Sequence, residues 1–246
     1  MSGIAILYLG QTRTFSHCWA NQWDMVLRHY PEARYYVCVE DEPEADCILP
    51  LMHKRVAPER IAMMRLRTPP DLPCPPESAA DHVPYARSGD LAKATRNLVN
   101  ALWGFNQCWD WYSRQPNARE GTLIRMRPDA HFHAFTPPPE LPAGDHLMSL
   151  WWARCGGAND RFAIMGRTAA RAYLTTYTRL QALIDDGVAF HGERFIAASL
   201  AGQGIRVSHT LDAWLSLIRP ADAAGRMEQV WPAPEAREVA LFARGL

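Results

Sequence analysis

Lysine is nearly missing from this chain. Lys54 and Lys93 are the only two among 26 basic residues, so its positive charge is carried almost wholly by arginine. A planar guanidinium suits a bidentate grip on phosphate, although genomic base composition alone produces the same bias. Excess charge of either sign is missing as well, since the 26 basic residues are offset by 26 acidic ones. No global field draws the protein to a phosphate backbone, which excludes nucleic acid as its main partner. No apolar run approaches the roughly 20 residues of a membrane span, so no transmembrane segment is expected. The six cysteines, Cys18, Cys38, Cys47, Cys74, Cys108 and Cys155, include no C-x-x-C pair and lack the density of a disulfide scaffold. Reduced thiols and a cytoplasmic location are expected. There is no internal repeat, and 48% apolar with 21% charged residues rules out wholesale disorder.

What is present is an alternation of strand and helix patterns over 246 residues. Ile4 to Leu9 is an apolar run ending at Gly10, the mark of a strand buried on both faces. The stretch from Met1 to Gly10 lacks a basic n-region and a cleavage site, and is read as this first strand, not as a signal peptide. Trp19, Trp23, Val26 and Leu27 recur at helical spacing, and Tyr35 to Val39 is again β-rich. This is a βαβ unit with parallel strands. Residues 43 to 68 are expected to hold one or two short helices. Six prolines between Thr68 and Pro84 exclude helix and central strand there, leaving a proline-rich loop at 68–84.

A stripe from Leu91 through Leu98, Phe105 and Tyr112 marks a long amphipathic helix, with its tryptophans at 103, 109 and 111 read as packing. Strands are expected at Thr122 to Arg127, His146 to Trp152, Arg161 to Met165 and Ile205 to Ser208. Ala170 to Ile184 and Glu193 to Ala201 read as helices. The pattern is that of an α/β fold, with a central, mostly parallel sheet flanked by helices in one domain spanning 1–246.

The chemistry gathers after Leu123. Ile124, Met126, Pro128, Ala130 and Phe132 are apolar, whereas the alternate positions Arg125, Arg127, Asp129, His131 and His133 are all ionisable. In an extended chain the second set shares one face. A central parallel strand should be apolar on both sides, so this one is expected to emerge into a cleft at the carboxyl end of the sheet, where α/β proteins bind ligands. Asp129 and His131 offer a hard oxygen and an imidazole nitrogen, a pair suited to a divalent ion such as Mn²⁺ or Mg²⁺, with His133 or His191 as a further ligand. The competing reading is an edge strand whose arginines and aspartate form surface ion pairs.

The segment Thr122-Leu-Ile-Arg-Met-Arg-Pro-Asp-Ala-His-Phe132 resembles the R-x-R-P-D-x-x-F strand of a group of nucleotide-diphospho-sugar transferases with the GT-A (Rossmann-like) glycosyltransferase fold. Gly10-Gln-Thr-Arg-Thr-Phe15 is similar to that group's G-Q-x-R-T-F loop, and Asn159-Asp-Arg-Phe-Ala-Ile164 to its N-D-x-F-x-I stretch. His191-Gly-Glu193 resembles its H-P-E helix start, with glycine replacing proline, and Arg219 falls where a late arginine is expected. The pieces keep the group's order from Ile4 to Pro220.

The resemblance implies a glycosyltransferase that moves a sugar from a nucleotide-diphosphate donor to a hydroxyl acceptor: a glycan, a lipid-linked sugar or a small molecule. It implies Gly10, Gln11, Arg13, Glu40, Arg125 and Arg127 around the nucleotide and diphosphate, and Asp129, His131 and His191 around Mn²⁺ or Mg²⁺. Asp160 and Glu193 are the candidate bases for the acceptor hydroxyl. Trp151 and Trp152 offer ring faces to a sugar, although adjacent strand residues point to opposite sides. Two other readings use the same residues: a metal-dependent nucleotidyl or phosphoryl transferase, and a non-catalytic nucleotide- or carbohydrate-binding module.

Overall fold

The computed structural model describes residues 3–67, 91–152, 154–220 and 227–230; the proline-rich stretch at 68–84 lies outside them. The apolar run that opens the chain forms β1 (Ile4–Gly10), followed by α1 (Phe15–Met25) and β2 (Arg34–Glu40). Two further segments, α2 (Ala45–Met52) and β3 (Ile61–Leu66), complete one side of the sheet. The long helix α3 (Leu91–Ser113) then returns the chain to β4 (Thr122–Met126). After β4 come β5 (Ala130–Phe135), β6 (His146–Leu150), β7 (Phe162–Gly166), α4 (Arg167–Leu174), α5 (Leu180–Asp185), α6 (Gly192–Ala201), β8 (Arg206–Leu211), β9 (Ala213–Pro220) and β10 (Met227–Val230).

Seven strands make the main sheet in the order β3-β2-β1-β4-β7-β6-β8. The β3-β2, β2-β1, β1-β4 and β6-β8 pairs are parallel, and β7 runs antiparallel to both of its neighbours. A smaller sheet has the order β10-β9-β5 and is antiparallel. This is an α/β fold with a largely parallel central sheet flanked by helices, of the Rossmann or GT-A-like kind.

Alternation along β1 divides the interior into two layers. Ala5, Leu7 and Leu9 pack with α3, α4 and α6, whereas Ile6 and Tyr8 pack with α1, α2 and the small sheet. A strand covered on both faces has no polar side to show, which is why β1 reads as a continuous apolar run.

Three expectations change. Ile61–Leu66 is a strand parallel to β2, within a stretch expected to be helical. The helix expected from Ala170 to Ile184 is α4, a 3₁₀ turn at Thr176–Arg179 and α5. The hydroxyls of Thr175 and Thr176 donate to the carbonyls of Arg171 and Tyr173, at 2.8 and 2.9 Å, competing with the helical ladder where it breaks. Finally, the strand expected at Thr122 to Arg127 ends at Met126, and the chain crosses to the small sheet through Arg127-Pro128-Asp129.

Candidate functional site

From β1 the chain builds outward to β2 and β3, then returns through α3 to place β4 on the other side of β1. That reversal opens a crevice at the carboxyl ends of β1 and β4, the position at which open α/β sheets take their ligands. A cavity of about 570 Å³ lies there, between the ends of β1, β2, β4 and β9 and one face of α3. The loop after β1 forms its floor. Gly10 has φ +115°, a conformation that residues with a Cβ rarely adopt. Thr12 donates its backbone N–H and its hydroxyl to Glu42, both at 3.0 Å, and the Thr14 hydroxyl donates to the Ile218 carbonyl at 2.8 Å. Those bonds set Gln11 and Arg13 on the cavity wall, with Gln11 donating to Glu40 at 3.3 Å.

Six cations line the cavity, Arg13, Arg67, Lys93, Arg125, Arg127 and Arg219, against two carboxylates, Glu40 and Asp160. A chain with no net charge has thus gathered positive charge at one place. Arg125 is the extreme case. It sits in mid-strand on β4 opposite Leu7, only 1% exposed, with its guanidinium 4.8 Å from the ring centre of Phe105. Its Nε and Nη1 have no hydrogen-bond partner among the described residues. Burial lowers its pKa, and the nearby negative charge of Asp160 works the other way. Nε of Arg219 is likewise buried without a partner among the described residues. Burial also pushes Glu40 up, against the pull of the Gln11 hydrogen bond.

Arg127 is held from behind. Its Nε and Nη2 donate to the two carboxylate oxygens of Asp129, each at 2.8 Å, a fork-on-fork pair. The Asp129 side chain is only 1% exposed. Burial opposes its ionisation, but the charge and hydrogen bonds of Arg127 hold its carboxyl below the usual carboxylate range. The turn that allows this is fixed by Gln22 of α1. Its amide nitrogen faces the carbonyls of Arg127, Pro128 and Ala130 at 3.2, 3.0 and 2.6 Å, while its oxygen accepts from Tyr8 at 2.7 Å. Asn21, next on the helix, pairs with both backbone groups of Phe132.

The expected metal set of Asp129, His131 and His191 is therefore not assembled. Both Asp129 oxygens serve Arg127, and His131 lies on β5 with its ring 5.3 Å from that of His133. Among the described residues these three are not gathered into one ligand set. The fully extended face that suggested them is interrupted by the turn at Pro128.

Among the described residues one group of three can hold a metal ion: Cys155, His191 and Glu193, whose ligand atoms lie within 4.8 Å of one another. His191 caps α6 and its Nδ1 meets Glu193 Oε2 at 2.7 Å, both side chains being buried. Hydrogen bonds to Cys155 and to Glu193 push His191 up to about 10. Burial, and then the negative charge of Asp160, push Glu193 up. The loop that brings Cys155 to α6 depends on a glycine, because a Cβ on Gly157 would lie 2.0 Å from the Glu193 carbonyl oxygen. Asp160, which follows this loop, lines the cavity, and its charge acts on Arg125, Arg127 and Arg161 as well as on Glu193.

The structure thus gathers Gly10, Gln11, Arg13, Glu40, Arg125, Arg127 and Asp160 on one cavity. It sets His191 and Glu193 beside Cys155, and places Asp129 behind Arg127. Trp152 is buried, stacked on Trp214, and donates from its indole nitrogen to the Ala213 carbonyl; Trp151 is half-buried. Sequence reasoning missed Arg67 and the cavity-facing stripe of α3, Lys93, Asn97, Asn100 and Gly104. The signal was there, as polar and small residues at helical spacing. Trp103, read as packing, lines the cavity too.

Among the described residues no helix is long and apolar enough to cross a membrane. No protein-family model and no curated protein matches this chain.

Proposed function

We propose that the cavity binds a nucleoside-diphosphate sugar and that the protein transfers the sugar to a hydroxyl acceptor. The observation that carries this reading is Arg125, a buried guanidinium lining the cavity with two N–H-bearing nitrogens unpartnered among the described residues. A buried donor without a partner is costly, and a buried unpaired charge more so. An anion seated between Arg125, Arg127, Arg13 and Arg219 would offset their gathered positive charge, and a diphosphate has the charge and oxygens to do so. The ordered likeness of the first loop, of β4 and of the stretch before β7 to nucleotide-diphospho-sugar transferases supports the same choice.

In the reaction, the bond from the anomeric carbon to the diphosphate breaks as the bond to the acceptor oxygen forms. The arginines stabilise the charge that develops on the departing diphosphate, acting as fixed donors in a partly closed site. Asp160 accepts the acceptor hydroxyl's proton. Glu40 and Gln11, at the end of β2 and in the first loop, accept from and donate to the ribose hydroxyls. In this reading the guanidiniums supply the charge neutralisation.

Thermal unfolding with UDP, GDP, ADP and CMP, each with Mn²⁺ or with EDTA, tests the reading. A ligand at about 100 times its Kd adds roughly 2.7 kcal/mol, and each kcal/mol raises the midpoint by about 2–4 °C in a chain of this size. One nucleoside diphosphate should give a shift that survives EDTA, and incubation with its sugar conjugate should release that diphosphate. Release of pyrophosphate or inorganic phosphate instead would assign a nucleotidyl or phosphoryl transferase. Binding without turnover would assign a binding module, and no shift with any nucleotide would sink the reading.

A further inference from the structure

We infer that Cys155, His191 and Glu193 form a zinc site, one that clips the loop before β7 to the start of α6.

The donors decide the metal. One thiol, one imidazole and one carboxylate are the three side-chain types found around Zn²⁺, and three protein donors leave its fourth tetrahedral position to water. A thiolate ligand selects against Mn²⁺ and Mg²⁺, which favour oxygen. The distances agree with a preformed site. Ligand atoms within 4.8 Å of one another need only small side-chain movements to reach bonding distance from a common centre, and the 2.7 Å His191–Glu193 contact already joins two of them. Zn²⁺ would take the place of the proton those two groups share.

The backbone around the cluster is fixed without the metal. Cys155 has φ +49°, in the left-handed region that a residue with a Cβ seldom occupies. Its carbonyl accepts from Arg194 Nε at 3.0 Å, and the Ala158 N–H donates to the Glu193 carbonyl at 3.0 Å. Gly157 passes so close to Glu193 that no side chain fits between them. Two segments 36 residues apart in sequence are thus in backbone contact, with a sulfur, a nitrogen and an oxygen facing one another. Just downstream, Asn159 accepts from the Arg161 N–H at 2.8 Å and its carbonyl accepts from the Tyr173 hydroxyl at 3.0 Å.

The test uses the full chain, stripped with EDTA and free of nucleotide, so its outcome is independent of the transferase reading. Titration with Zn²⁺ by calorimetry should show one equivalent bound, which Mg²⁺ and Mn²⁺ do not displace. Co²⁺ should give the intense visible bands of tetrahedral coordination and a thiolate charge-transfer band. Cys155→Ser should abolish that band and weaken Zn²⁺ by more than the roughly 100-fold that loss of a mere orienting partner can cost. Should the variant fail to fold, alkylation of the native chain decides the matter, since Zn²⁺ should protect Cys155 from iodoacetamide in peptide mass maps. Substoichiometric zinc, an octahedral Co²⁺ spectrum, or Cys155 alkylated equally with and without zinc would each overturn the inference.

Discussion

Replacing Arg125 by methionine should make the unliganded protein more stable and its ligand binding weaker. The residue is 1% exposed, and its Nε and Nη1 lack partners among the described residues. Each buried donor left unsatisfied costs about 1–3 kcal/mol. Methionine fills a similar volume and exchanges the cation–π contact with Phe105 for a sulfur–aromatic contact of comparable size. With two such nitrogens the gain in the free protein should be about 2–6 kcal/mol, or several degrees and more in midpoint at about 2–4 °C per kcal/mol. Against this, a hydrogen bond to a charged group contributes about 1.5–3 kcal/mol, so a diphosphate ligand should bind roughly 10- to 150-fold more weakly. Thermal unfolding with and without nucleoside diphosphate reads both effects in one experiment. A variant less stable than the parent, yet with unchanged affinity, would refute the reasoning, because Arg125 would then be a core residue satisfied by the protein itself.

Four further outcomes are expected. Gln22→Leu should lower stability by about 3 kcal/mol, since three carbonyls and the Tyr8 hydroxyl lose one amide; an unchanged urea midpoint would contradict this. Gly157→Ala should cost about 1–3 kcal/mol, as the new methyl meets the Glu193 carbonyl, and it should weaken Zn²⁺ binding by calorimetry even where the chain stays folded. Asp129→Asn should cost about 3 kcal/mol at pH 7 by breaking a buried pair. The folded pKa of Asp129 lies below its unfolded value of about 3.9. The contribution is therefore complete above about pH 5 and lost as pH falls through the lower folded value, so parent and variant should converge in urea unfolding below pH 4; a gap independent of pH would count against the pair. Asp160→Asn should slow sugar transfer by about 10²–10⁴, and equal turnover in a product assay would remove Asp160 from the role of base.

What the sequence discloses follows from how each segment is buried. β1, β2 and β4 lie between two layers, so they appear as apolar runs, and α3 covers one layer, so it appears as a stripe. β3 is an edge strand and half-exposed, and its Ile-Ala-Met-Met-Arg-Leu carries residues equally at home in a helix. The cavity residues in the loops after β1 and β4 were legible because strand ends are where charge can stand. The Cys155, His191 and Glu193 cluster was not, because Cys155 and His191 meet only through the close approach of Gly157 to α6, which no local spacing encodes. Alternation failed at Pro128 for a related reason: a single glutamine on α1 holds the turn, and that glutamine looks like any other polar helix residue.

The pairing of Arg127 with Asp129 bears on the thermodynamics of whatever enters the cavity. Two of the guanidinium's nitrogens are committed to the carboxylate, so its plane cannot rotate and Nη1 is presented in one direction. Immobilising a free arginine on binding would cost about 0.5–1.5 kcal/mol in rotamer entropy; here that ordering has already occurred during folding. Arg13, exposed at the rim, must still be ordered when a ligand arrives. On the proposed reading, the deep arginine would set the orientation in which an anion is accepted, and the shallow one would be ordered only on binding.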